Sequence, residues 1–272
     1  MRRDRDFDRS WLALFAEELK IARSRAGLSQ DQLADAIGYS ASLVAKIETC
    51  RGVPTLDFAT RCDATLETGG ALARMHKFLG KGPFPSWFRP FVDYEAAARS
   101  LRLFEHVLVP GLLQTREYAR AVLGTRPNTT DDETEQLVSA RMERQAILET
   151  GDPPLLWVVL DEGVLHRQVG DAKVMHDQLL HLADVSCRPN ITVEVVPYGA
   201  GAHSGLLGAF VVAAFEDAPA IGYLETAAGG TVTEEADTVA QVTLTFDTLR
   251  SESLTRSVSR DLIVKVAEEK WT

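Results

Sequence analysis

Cysteine is scarce: Cys50, Cys62 and Cys187 are the whole complement of a 272-residue chain. An odd count without paired short spacings excludes a disulfide framework and a zinc site, so reduced thiols are expected, with a thiol switch between Cys50 and Cys62 as the alternative. No metal and no cofactor are expected. Long apolar runs are also missing. Nothing approaches the roughly 20 consecutive apolar residues of a membrane helix, and the opening Met-Arg-Arg-Asp-Arg-Asp-Phe-Asp has no apolar segment behind it. The expectation is therefore a cytoplasmic protein without a secretory signal and without a membrane partner. There is no internal repeat and no low-complexity segment.

A basic surplus is lacking too, since the net charge is −10. It is unevenly spread. Residues 1–81 carry 13 Lys or Arg against 11 Asp or Glu, and residues 82–272 carry 16 against 28. A polyanion suits only the first part, and only through a local patch of Lys46, Arg51, Arg25 and the Arg2-Arg3-Arg5 arm, aided by helix N-termini. The acidic remainder would be repelled by a duplex, so its role lies elsewhere. With 45% hydrophobic residues, the length suits two domains, each with its own core.

What is present is clearest at residues 29–49. Ser29 is placed to cap a helix, with Gln32 completing a capping box. Leu33, Ala34 and Ile37 share one face, and Val44 and Ile47 form the matching stripe of a second helix. Gly38 stands where the chain must turn left-handed, which a residue without Cβ does cheaply. Ser40 caps the second helix. This is a helix-turn-helix, and its partner is double-stranded DNA. Ala41, Ser42 and Lys46 then face outward from the first turns of the helix that enters the major groove. Lys46 can donate to guanine, Ser42 to a base or phosphate, and Ala41 offers a methyl to thymine. No bidentate Arg, Asn or Gln is among them, so one copy reads a half-site weakly and two copies are needed.

With those residues in view, 11–79 resembles the Cro/phage-repressor (Xre-type) helix-turn-helix domain: a helix through Leu19–Ala26, the Gly27-Leu28-Ser29-Gln30 approach, the motif, a fourth helix after Pro54-Thr55 and a fifth near 69–79. The resemblance implies that Gln30 contacts a phosphate and braces the recognition helix, and that Arg23 pairs with Glu48 to lock the first helix onto the third. Where such domains usually carry Gly after Glu-Thr, this chain has Cys50, so strain is expected in that turn. Arg51 beyond it is a further phosphate candidate.

Gly80-Lys81-Gly82-Pro83-Phe84-Pro85-Ser86-Trp87 punctuates the chain, and a linker is expected at 80–90. The aromatic stretch up to Phe91 is expected to pack on the following domain. That domain, 91–270, reads as α+β with a small mixed sheet. Helices are expected at Asp93–Leu103, Leu112–Leu123 and Thr134–Thr150, with a loop at 124–133. Leu155–Leu160 and Ile191–Val196 read as strands around an amphipathic helix at Lys173–Cys187, giving a right-handed parallel crossover. Ala209–Phe215 and Ile221–Leu224 extend the sheet as antiparallel neighbours, and helices near 234–250 and 255–269 end the chain. The fold class is thus multidomain: an all-α five-helix helix-turn-helix domain followed by an α+β domain.

Chemical sites are faint in the second domain. Gly199–Gly205 does not have Gly-x-Gly-x-x-Gly spacing and precedes a strand, so it reads as a connection. His203 beside Ser204 lacks a Gly-x-Ser-x-Gly elbow. His176 and His181, five apart, lie on different helix faces. Asp161-Glu162 is expected to cap a short helix. No catalytic residue is assigned.

Across 87–267 the chain resembles the uncharacterised C-terminal domain attached to Xre-type regulators of streptomycetes and related actinobacteria, the WhiJ-like or antitoxin-like regulators. The likeness rests on Leu108–Thr115 with Tyr118-Ala119-Arg120, on Arg141 and Arg144-Gln145, on Leu160-Asp161-Glu162 and on Ala200–Gly205. It implies a regulator of development or antibiotic production, often encoded beside a small toxin-like partner protein. Gln114, Tyr118, Arg144 and His203 are the partner or effector candidates. Three readings compete: a DNA-binding regulator whose second domain forms a homodimer and receives a small protein partner; one whose second domain senses a small-molecule effector; and a DNA-tethered hydrolase. Copurification separates the first two, and activity lost in His203→Ala would mark the third.

Overall fold

The computed structural model describes residues 4–52, 54–79, 88–127, 129–226 and 229–272, excepting the side chains of 4–11 and 77–79. The linker expected at 80–90 falls largely outside them, as do Arg2, Arg3 and the side chain of Arg5. The chain divides into two compact units, Met1–Gly82 and Pro83–Thr272.

Among the described residues five helices build the first unit: α1 (Asp4–Arg25), α2 (Gln30–Ile37), α3 (Ala41–Glu48), α4 (Leu56–Leu66) and α5 (Ala71–Leu79). Their ends are written locally. The Ser29–Gln32 capping box opens α2, Gly38 closes it at φ 74°, and Ser40 Oγ accepts from Leu43 N at the start of α3. Thr55 caps α4 in the same way, accepting from Phe58 N. The carboxylate of Asp63 on α4 then accepts from Leu72 N at 2.9 Å and Ala73 N at 2.8 Å, satisfying the free donors of the first turn of α5. Phe15, Leu19, Leu33, Ile37, Val44, Ile47 and Phe58 close a common core. Helix α1 starts well before the expected Leu19.

The second unit is α+β around a six-stranded mixed sheet of order β3-β2-β1-β4-β5-β6. The strands are β1 (Ser100–Glu105), β2 (Leu155–Asp161), β3 (Ile191–Val196), β4 (Phe210–Ala214), β5 (Ile221–Thr226) and β6 (Gly229–Thr233). The pairs β1–β2 and β2–β3 are parallel, and β1–β4, β4–β5 and β5–β6 are antiparallel. The helices are α6 (Arg89–Ala97), α7 (Arg116–Leu123), α8 (Asp131–Gln145), α9 (Gly163–His166), α10 (Ala172–Val185), α11 (Ala236–Glu252) and α12 (Arg256–Lys270). The strand–helix–strand unit β2–α10–β3 and the antiparallel pair β4–β5 are as expected.

Four local expectations are corrected. The helix read at Asp93–Leu103 begins at Arg89, with Pro90 in its first turn, and stops at Ala97. From Ser100 the chain becomes β1, because Leu101 and Leu103 alternate with Arg102 and satisfy a backbone held between β2 and β4. Leu112–Leu123 is not one helix: a single 3-10 turn at Gly111–Leu113 precedes α7, whose start is set by Thr115 Oγ1 accepting from Tyr118 N at 3.3 Å. The loop read at 124–133 is shorter, since Thr130 and Glu133 make a capping box and α8 starts at Asp131, ending at Gln145 rather than Thr150. Strands β1 and β6 extend the expected four-strand sheet at its centre and edge.

Each sheet face has its own core. Leu101, Leu103, Val158, Val193 and Tyr223 face a cluster with α6, α7, α9, α10 and α12, while Phe104, Val159, Phe210 and Val212 face α11. Phe91 stacks on Tyr223 at 4.4 Å between centroids and Phe88 meets the same ring edge-on at 5.6 Å.

Candidate functional site

Helix α3 owes its seating to one carboxylate. Glu48, its last residue, has a side chain only 3% exposed and accepts from Arg23 Nε at 2.6 Å, Arg23 Nη2 at 3.0 Å and Gln30 Nε2 at 2.7 Å. Arg23 Nη1 also donates to Leu28 O at 2.8 Å, tying in the α1–α2 connection. Burial alone would raise the Glu48 carboxyl. The hydrogen bonds from Arg23 and Gln30, with the charges of Arg23 and Lys20, outweigh it and hold the group below the usual carboxylate range. One acid thus gathers α1, α2 and α3. The second N–H of the Gln30 amide stays available to a phosphate.

With its inner face seated by Val44 and Ile47, α3 presents Ser42, Lys46 and Thr49 to solvent. Ala41 is different from expectation: it is half-buried and packs against the core. Ser40 is committed to the cap through its lone pair, with its O–H free to donate. Beyond α3, Cys50 adopts φ 58°, the left-handed conformation usually left to glycine. Arg51 N and Cys50 N close the helix end onto Lys46 O and Ile47 O, a Schellman arrangement, which leaves the Arg51 side chain exposed. Cys62 is buried and its thiol is pushed up to about 12 by that burial.

In the second unit, Gln114, Tyr118 and Arg144 converge on the Val109–Gln114 turn. Gln114, 3% exposed, donates to Val109 O at 2.7 Å and accepts from Arg141 Nη1 at 2.6 Å. The Tyr118 hydroxyl accepts from Val109 N. Arg144 pairs with Glu95 at 3.3 Å, stacks on Phe88 at 4.8 Å and approaches Gly111 so closely that a Cβ there would stand 2.4 Å from its Nη2. Gln114, Arg141 and Arg144 border a cavity of about 210 Å³, lined also by Glu105, Arg126, Tyr223 and Glu225, whereas Tyr118 stays behind the turn in the core. His203 does not join them. Its Nε2 lies 3.0 Å from Asp161 Oδ2 and its ring meets Phe104 edge-on, on the α11 side of the sheet. Asp161 Oδ1 in turn accepts from Gly163 N at 2.6 Å, so this acid does serve the start of α9.

Residues 88–265 match a family described as a domain of unknown function (DUF5753). The chain belongs to that family. Residues 14–75 match a helix-turn-helix domain, so this DUF5753 protein carries a helix-turn-helix at its N-terminal side and an uncharacterised domain after it. No curated protein and no solved structure matches the chain. No helix among the described residues is long and apolar enough to cross a membrane, and no group of three or more metal-ligating side chains occurs among them.

Sequence reasoning overlooked Glu95, Glu105, Arg126 and Glu225. The signal available was Glu105 itself. It continues the Leu101, Leu103 alternation onto the core-facing side of β1, where an apolar residue belongs, but only once 100–105 is read as a strand.

Proposed function

We propose that this DUF5753 protein is a sequence-specific transcription regulator that binds double-stranded DNA through α3. The observation that carries this reading is the Glu48 carboxylate, which ties α1 and α2 to α3 and leaves Ser42 and Lys46 on an exposed, rigidly held face. Gln30, Ser40 and Arg51 border that face and supply phosphate contacts. Ala41 contributes packing. Because Ser42 and Lys46 specify few base pairs, the protein acts as a homodimer on an inverted repeat, with half-sites about one turn, roughly 34 Å, apart. In line with the WhiJ-like, antitoxin-like regulators it resembles, the second domain dimerises and receives a small protein partner, and the protein is cytoplasmic and not an enzyme.

A second reading has its own observation. The cavity of about 210 Å³ bordered by Gln114 and Arg144 favours a small-molecule effector. Selection of bound sequences from random duplexes by the full chain, followed by sedimentation, tests the first reading. An enriched inverted repeat and a dimer are expected. No enriched sequence would remove the DNA-binding role, and a monomer holding one half-site tightly would remove the dimer. A protein copurifying from the native host supports the partner, whereas its absence together with a bound metabolite favours the effector.

A further inference from the structure

The cavity in the second unit holds charges of both signs that the fold does not use. Phe104, Phe210 and Leu224 are in register across β1, β4 and β5. One step along, Glu105, Ala209 and Glu225 therefore share a row on the opposite face, with Glu225 N donating to Ala209 O at 3.1 Å. The two carboxylates rise from strands about 10 Å apart, two strand spacings, and the small alanine between them leaves a notch. Apolar residues occupy that face in the preceding rows: Leu101, Leu103, Val211, Ala213, Ile221 and Tyr223. At the next row stand two acids instead, Glu105 half-buried and Glu225 at the open edge, and neither side chain makes a hydrogen bond or ion pair among the described residues.

The opposite wall carries Arg126 and Arg141. The Arg126 side chain has no hydrogen-bond or ion-pair partner among the described residues, and Arg141 donates to a neutral acceptor, Gln114 Oε1. The Tyr223 hydroxyl, in a side chain 1% exposed, is buried without a hydrogen-bond partner among those residues. An ion-pair network built for stability would join these groups, as it joins Glu95 to Arg144. Here acids and guanidiniums stay apart across a space of about 210 Å³, below the roughly 300–1,000 Å³ of sites for drug-sized ligands.

We infer that this cavity binds a small zwitterion of amino-acid size, its cationic group held between Glu105 and Glu225 and its carboxylate facing Arg126 and Arg141. The inference rests on the effector reading and names the chemistry of its ligand. A cation alone would leave Arg126 unmatched, and a dianion would face two carboxylates. The row of Glu105 and Glu225 sets the position of the cation, and the distance to α8 and the α7–α8 turn sets the length of the ligand.

Calorimetric titration of the full chain with the common amino acids and ornithine, and with agmatine and glutarate as single-sign controls, tests this without DNA. Saturable binding of a cationic amino acid is expected, weakened about tenfold or more in Glu225→Gln and in Arg126→Gln. Arg126→Gln should weaken arginine and leave agmatine unmoved, a pattern that loss of fold would not give, and circular dichroism checks each variant. Absence of saturable binding by every amino acid tried at millimolar concentration would overturn the inference. Tighter binding of agmatine or glutarate than of any zwitterion would overturn it as well. Operator affinity is measured separately: if a bound zwitterion leaves it unmoved, the effector reading fails while the site stands, and if no operator exists the DNA reading fails alone.

Discussion

The guanidinium of Arg23 meets the carboxylate of Glu48 through two nitrogens, Nε to Oε1 at 2.6 Å and Nη2 to Oε2 at 3.0 Å, across 25 positions of sequence. Glu48 is nearly inaccessible and Arg23 is 13% exposed, so water replaces neither partner when the other is removed. Breaking such a pair costs about 3–5 kcal/mol. Glu48→Ala is therefore expected to raise amide hydrogen exchange throughout α1 and α3 of the full chain, with the second unit unaffected. Because the folded carboxyl titrates below its ordinary range, the stabilisation is complete above that range and is lost as pH falls through the lowered value. Exchange that stays slow in α3 of the variant would contradict this.

Cys50 pays for its left-handed backbone with a Cβ. Cys50→Gly is expected to stabilise the helix-turn-helix unit by about 1 kcal/mol, since the Schellman closure onto Lys46 O and Ile47 O stays as it is. A urea titration of the full chain, followed by exchange in α3, measures it. Cys50→Val should move the midpoint the other way.

Lys46 and Gln30 should fail differently. Lys46→Ala is expected to relax preference at one base-pair position, at about 1–3 kcal/mol per half-site. Gln30→Ala should weaken selected and scrambled duplexes alike and leave the salt slope unchanged, because a neutral amide releases no counterion. Anisotropy titrations at several salt concentrations separate the two, and equal losses on both duplexes for both variants would reject the division.

Glu105 lies well above the usual carboxylate range because it is withdrawn from solvent and faces Glu225, an effect that Arg141 only partly offsets. Glu225 is raised too, by partial desolvation against the pull of Arg141 and Arg144. A raised acid means that the folded state holds the extra proton, so stability falls as pH rises from the ordinary range through the raised value. Glu105→Gln is expected to match the parent below that window and exceed it above, by about 1–3 kcal/mol. Melting temperatures across pH check the crossing.

The sequence alone determined the helix-turn-helix, because each of its devices is local. Ser29 finds Gln32 three residues on, Gly38 needs only its own missing Cβ, and Ser40 caps the helix it begins. Even the Arg23–Glu48 pair was legible, though from likeness to other domains rather than from spacing. The β2–α10–β3 unit was likewise readable from the change of hydrophobic period and the intervening helix length. Tertiary structure decided the rest. Ser100–Glu105 follows a helix without a turn signal, and it is a strand because β2 and β4 supply its hydrogen bonds. His203 looks toward Ser204 in the sequence and toward Asp161 in the fold. Glu105, Arg126, Arg141 and Glu225 come from two strands, a helix and a turn, and no spacing links them. Their shared cavity is a product of strand register and of which face α8 covers, and register is a property of paired chains that a single segment does not carry.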